Sequence, residues 1–279
     1  MSNPFKSNRF LFNSPFVWRG FFAICIIALG IQQLIYADFM LVIMPPWPSW
    51  LPGRMVLSFI GSALLICLGA GMLFEKTARR AAVLLGILML LLVVAFHIPF
   101  TQDRLNLGSW NNGFKALTLC GGAFIVAVTV PVYTSSTRGI LYKLTPLWRF
   151  FFSITLIVFG CEHFMYIDFV VTLVPSWIPG HLFWSYFAGV ALIAGGTGIT
   201  LGIVPKLAAN LTGVMIFLWF VMLHIPRAIA DPHSGNGNEW TSVFESLGFS
   251  GIALLIAGTF TERAGKKNTG YSYKKFSAA

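Results

Sequence analysis

Apolar residues fill the chain in blocks of about twenty, separated by short clusters of charge, proline and glycine. A hydrocarbon core about 30 Å thick takes roughly 20 residues of helix to cross. Eight blocks suit that length: 20–44, 55–74, 81–98, 114–133, 150–174, 182–204, 207–225 and 243–260. Lipid offers backbone groups no partner, so each span must satisfy its own, and the pattern predicts an all-α integral membrane protein with eight transmembrane helices.

The punctuation between the blocks repeats. PSWLPG at Pro48–Gly53 returns as PSWIPG at Pro175–Gly180, and the match extends well beyond the hexapeptide. Arg19, Gly30, Tyr36, Asp38 and Phe39 align with Arg149, Gly160, Tyr166, Asp168 and Phe169 at an offset of 130. Past the three-residue excess in MPPWPSWLPG the offset is 127, aligning Gly69, Gly86, His97, Ile98 and Pro99 with Gly196, Gly213, His224, Ile225 and Pro226. It then returns to 130, aligning Trp110, Phe114 and Gly121 with Trp240, Phe244 and Gly251. Self-similarity at this scale reads as tandem duplication. Four helices per unit, an even number, bring the second unit into the membrane from the same side, so the expected architecture is two parallel four-helix repeats and not an inverted pair. The expected regions are a cytoplasmic N-terminal segment 1–18, a first repeat 19–133, a cytoplasmic linker 134–148, a second repeat 149–260 and a disordered basic cytoplasmic tail 261–279. In each repeat PSW[LI]PG is a stiff interfacial corner: prolines stop the helix, Trp suits the headgroup level and Gly allows the return.

Composition agrees, with 57% hydrophobic and 10% charged residues and a mean hydropathy of +0.78. Fifteen of the 19 Lys and Arg residues fall at one predicted face, and Arg54, Arg104, Lys115 and Arg227 at the other. By the positive-inside rule both termini are cytoplasmic, in the inner (plasma) membrane of a bacterial-type cell. Orientation and attraction to anionic membrane lipid thus account for the net charge of +10, which gives no reason to invoke nucleic acid. Cys25, Cys67, Cys120 and Cys161 fall within spans without a CxxC pair, and read as buried structural thiols.

Candidate chemistry comes from comparing the halves. Gln32-Gln33 becomes Glu162-His163, Phe100 becomes Arg227, and Lys115 becomes Glu245. Counted at 1.5 Å per residue, His163 stands ~21 Å above Arg149 and His224 ~27 Å above Lys206, both toward the outer surface. Glu162, His163 and Tyr166 share a broad helical face. The expectation is an outward-opening pocket between the fifth, seventh and eighth helices that gathers Glu162, His163, Tyr166, His224, Arg227 and Glu245. Intramembrane Glu and His are costly in lipid and mark proton or ligand paths, or else a network that fixes helix packing. Asp38 and Asp168 read as structural hydrogen-bonding groups, and DPHSGNGNE at 231–239 as a flexible outer loop. A haem held by His163 and His224 is geometrically allowed but has no motif behind it. No fixed spacing of metal ligands is present.

The Arg ahead of the first helix, GCEHF at Gly160–Phe164, the Pro-x-x-[LI]-Pro corner, the glycine-rich second helix and the outer polar cluster together resemble the DoxX-like family. That family includes the DoxD subunit of thiosulfate:quinone oxidoreductase. The second unit fits better than the first, which has GIQQL at Gly30–Leu34, and family members are commonly a single four-helix unit. The resemblance implies a redox partner subunit. The residues themselves suggest a lipophilic ligand, best a quinone: His163 at its carbonyl, Glu162 relaying protons, and His224 and Arg227 orienting it at the mouth. The alternatives are a carrier for a small solute or lipid, with the same cluster as its site, and a non-catalytic membrane subunit or assembly factor.

Overall fold

A computed structural model describes residues 15–101, 103–131 and 139–260. The basic tail, most of the N-terminal segment and the linker residues 132–138 lie outside the described residues. Among those described there are helices and no strands, and eight helices are long and apolar enough to cross a membrane. They are α1 (Pro15–Tyr36), α2 (Arg54–Leu73), α3 (Glu75–Phe100), α4 (Leu107–Thr129), α5 (Thr145–Met165), α6 (His181–Leu201), α7 (Pro205–Ala230) and α8 (Ser234–Gly258). A short linker helix, Gly139–Lys143, precedes α5, and a surface helix, Ile167–Leu173, follows it. The length and apolarity of the eight helices mark a multi-pass membrane protein.

The helices reverse where the sequence dictates. The corners enter α2 and α6 through Gly53 (φ 87°) and Gly180 (φ 74°), left-handed conformations natural to glycine. α3 and α7 each widen into one π turn, Val93–His97 and Phe220–His224, just before Pro99 and Pro226. A helical proline has no N–H to donate and its ring crowds the carbonyl four residues back; a π turn relieves both.

The packing is a ring with a filled middle. α1 packs on α2 and on α8; α5 packs on α6 and on α4; α3 lies against α4, and α7 against α8. α4 and α8 meet at the centre, where 67% and 83% of their apolar windows are buried, against 22–50% for the six outer helices. α1 and α4 barely touch, and neither do α5 and α8. The close approaches rest on small residues, as membrane packing favours. A Cβ added at Gly121 of α4 would stand 2.7 Å from the Trp148 carbonyl oxygen, and one at Gly251 of α8 would stand 2.6 Å from that of Trp18.

Several sequence expectations change at the end bearing the corners. The first span does not run to residue 44: α1 stops at Tyr36, Ala37 turns left-handed (φ 50°), and the Asp38 carboxylate accepts the Phe39 N–H at 2.9 Å. The following segment folds back into the bundle and buries Met40, Val42, Ile43 and Met44, with Phe39 stacked on Trp47 at 5.5 Å. The fifth span also breaks, at Tyr166, but the surface helix after it has no buried residue and leaves Phe169 63% exposed. Within DPHSGNGNE the backbone kinks, with left-handed residues at Gly235, Asn236 and Gly237, and the regular right-handed run of α8 begins after them. Of the four cysteines expected to be buried, Cys25 and Cys120 are, while Cys161 is half-buried and Cys67 is exposed on α2.

Candidate functional site

Glu162 projects from the last turn of α5 toward α4 and is buried, with the Asn111 side chain in hydrogen-bonding range. One helical turn beyond Asn111, Lys115 crosses to α8 and pairs with Glu245 through Nζ and Oε2 at 2.7 Å. Glu245 is 4% exposed, so this ion pair sits in the centre of the bundle. The Lys115 ammonium also acts electrostatically on Glu162 and on His224 of α7. Arg227, one turn after His224, grips Glu239 at both oxygens, 3.0 Å from Nε and 2.6 Å from Nη2.

The hydrogen bonding of this cluster is incomplete. Among the described residues, Glu162 Oε1, Glu245 Oε1, Asn111 Oδ1 and His224 Nδ1 are all buried without a partner. Leaving such groups unmet costs about 1–3 kcal/mol each, more when charged. His163 stands on the neighbouring face of α5, its ring 6.3 Å from that of Trp219 on α7, with Nδ1 2.7 Å from the Phe159 carbonyl oxygen. A carbonyl only accepts, so Nδ1 carries the proton and Nε2 of the neutral ring is left as an acceptor.

In the first half the glutamines aligned with Glu162 and His163 have their partners, although His97 Nε2, like His224 Nδ1, is buried without one among the described residues. Gln32 donates to the Gly237 carbonyl at 2.7 Å and accepts from Thr241 at 3.1 Å. Gln33 donates to Ser62 and accepts from the Met40 N–H, both at 3.3 Å. His97, the counterpart of His224, is 3% exposed, its ring facing the backbone of Val42 and Ile43 in the infolded segment. No such segment covers the second half.

Of the six residues expected from sequence, Glu162, Glu245 and His224 thus converge around Lys115. His163 flanks them on α5. Tyr166 turns away, its hydroxyl donating to Asn106 Oδ1 at 2.9 Å ahead of α4. Arg227 is held by both oxygens of Glu239. Asn111, Lys115 and Glu239 escaped the sequence reading as site residues. One signal was available: Lys115 and Glu245 occupy aligned positions with opposite charge, as partners across an approximate two-fold would. Among the described residues no three His, Cys, Asp or Glu side chains gather closely enough to hold a metal ion. No protein-family model, curated protein or solved structure matches the chain.

Proposed function

We propose that this chain is a DoxX-like membrane protein that binds a quinone-class lipophilic ligand at the outer end of its second four-helix unit and acts beside a redox partner. The observation that carries the reading is the pair of buried carboxylates in the second half, Glu162 and Glu245, each with one oxygen unpartnered among the described residues. Asn111 Oδ1, reaching Glu162 from α4, also lacks a donor among the described residues, whereas Gln32 and Gln33, aligned with Glu162 and His163, have their partners. A ligand that brings hydroxyl donors meets that need, and a quinol does so while its apolar body lies among lipid-facing residues. In this form of the proposal His163 Nε2 accepts a quinol hydroxyl; the carbonyl contact expected from sequence would need a donor there. Glu162 is placed to take the proton released when the quinol is oxidised, and the electrons leave through the partner.

The proposal includes duplicated parallel architecture, and three correspondences support it. The contacts of Gly121 with Trp148 and Phe151 map onto those of Gly251 with Trp18 and Phe21 at an offset of 130. The two π turns coincide at an offset of 127. Gly30 closes on Ser62 and Ile66 of α2, as Gly160 closes on Gly189 and Ile193 of α6. The positive-inside distribution supports placing both termini in the cytoplasm, and the corners with the acceptor cluster at the outer face.

Binding of a short-chain quinol to the detergent-solubilised protein tests the reading. Loss of one charged acceptor should weaken binding about tenfold or more in Glu162→Gln, on the scale of 1.5–3 kcal/mol for a hydrogen bond to a charged group. The corresponding change in the first half, Gln32→Ala, should leave affinity unaltered. Equal effects in both halves, or none in either, would defeat it.

A further inference from the structure

The basic end carries a different asymmetry between the halves. In the first half, the linker helix Gly139–Lys143 (GILYK) closes the gap between α3, α4 and α5. Its Leu141 carbonyl accepts from Trp148 Nε1 at 3.1 Å, its Tyr142 carbonyl accepts from the Thr145 hydroxyl at 2.8 Å, and the Tyr142 ring lies 5.5 Å from the Arg79 guanidinium carbon. Trp148 stacks in turn on Phe124 of α4 at 4.2 Å. The gap is filled by one short segment with an aromatic anchor.

Carried to the second half, the same positions are Lys206 for Arg79, Leu254 for Phe124, Gly258 for Val128 and Trp18 for Trp148. All four line one cavity of about 1050 Å³ at the basic ends of α1, α4, α5, α7 and α8, which Tyr142 of the linker helix also borders. Pockets that enclose small ligands span roughly 300–1,000 Å³, so several side chains fit. The chain contains a matching segment. GYSYK at Gly270–Lys274 aligns with GILYK at an offset of 131, placing Tyr273 on Tyr142 and Ser272 on Leu141. The spacing agrees as well: residues 131–138 separate Val130 from Gly139, and 261–269 separate Phe260 from Gly270, eight residues against nine.

We propose that the C-terminal segment Gly270–Lys274 docks into this cavity as the second-half equivalent of the linker helix. The Tyr273 ring then covers the Lys206 ammonium, a cation–π contact in place of Tyr142 on Arg79. The Ser272 carbonyl accepts from the Trp18 indole. Lys274 and Lys275 remain at the headgroup level, where anionic lipid offsets their charge. The inference rests on the duplicated architecture and is independent of the ligand at the outer end.

Photocrosslinking of the full-length protein in lipid vesicles tests it, with p-benzoylphenylalanine replacing Tyr273 in one variant and Tyr142 in another. The Tyr142 variant should join the start of α3, and the Tyr273 variant should join residues 205–214 of α7. Adducts of the Tyr273 variant only with lipid, or only with α3, overturn the docking. The same reagent at Phe21 and at Phe151 reads the duplicated packing separately, through adducts with α8 and α4; if those form and the Tyr273 adduct does not, the docking fails and the duplication stands. A second measurement is maleimide labelling of Asn210→Cys, at the cavity wall. Labelling should be roughly tenfold slower in the full chain than in a chain ending at Asn268, as a segment docked nine-tenths of the time would impose. Equal rates in the two chains contradict the docking. So does protection of both chains in phosphatidylglycerol vesicles that is lost in phosphatidylcholine, which would assign the cavity to an anionic lipid headgroup.

Discussion

Glutamine and glutamate differ by little in shape, yet Gln32 and Glu162 end in opposite states. Gln32 has both a donor and an acceptor to spend and finds partners for each, whereas a carboxylate only accepts and Glu162 keeps one oxygen unmet. Glu162→Gln and His163→Gln install residues that the first half already holds in a folded context. Both variants should therefore express and unfold thermally as the parent does while losing quinol binding; a matching loss of folded protein would make the pair a packing device. The Lys115–Glu245 pair is a separate case. Lys115→Met strands a buried carboxylate and should destabilise by about 3–5 kcal/mol, while Lys115→Met with Glu245→Met should recover most of that loss. Thermal unfolding in detergent reads the difference, and a double variant no more stable than the single one would contradict a central ion pair. The contrast between halves was legible in the sequence because Glu162, His163 and Glu245 are ionisable residues within apolar runs. The contact of Lys115 with Glu245 was not, since it depends on which helices meet at the centre.

At the scale of elements, apolar length located all eight helices but misplaced several of their ends, most of all where the first and fifth spans stop, at Tyr36 and Met165 instead of residues 44 and 174. Residues 39–44 (FMLVIM) read as continued helix because a buried re-entrant segment and a membrane span show the same hydrophobicity. Only the backbone reversal at Ala37 separates them. The π turns were equally hidden, although His-Ile-Pro in both halves named their location. The glycines of α4 and α8 permit the cross-half packing of α5 and α1. Gly121→Ala and Gly251→Ala place a methyl against a backbone carbonyl that cannot rotate away. Each should destabilise by about 1–3 kcal/mol, and by similar amounts. A large cost at one glycine and none at the other, by thermal unfolding, would separate the two interfaces and speak against duplicated packing.

For the whole molecule, the repeat predicted two bundles of four, but the helices are shared: α1 leaves its own half to lie on α8, and α5 lies on α4. Sequence similarity between halves reports equivalence of positions and says nothing of which helices pack across from one half to the other. The proposed orientation rests on the positive-inside distribution alone, and it predicts that a cysteine at Ser234, at the corner end of α8, reacts with a membrane-impermeant thiol reagent in intact cells. Reaction only after lysis would invert the topology and place the acceptor cluster inside. The central claim, that the second half holds a quinone-class ligand which the first half does not, is met most directly by extracting the protein purified in mild detergent and quantifying bound quinone by mass spectrometry. The account predicts quinone in near-stoichiometric amount in the parent and in Gln32→Ala, and its loss from folded Glu162→Gln and His163→Gln. Parent protein without quinone, or quinone retained equally in all four, would contradict it.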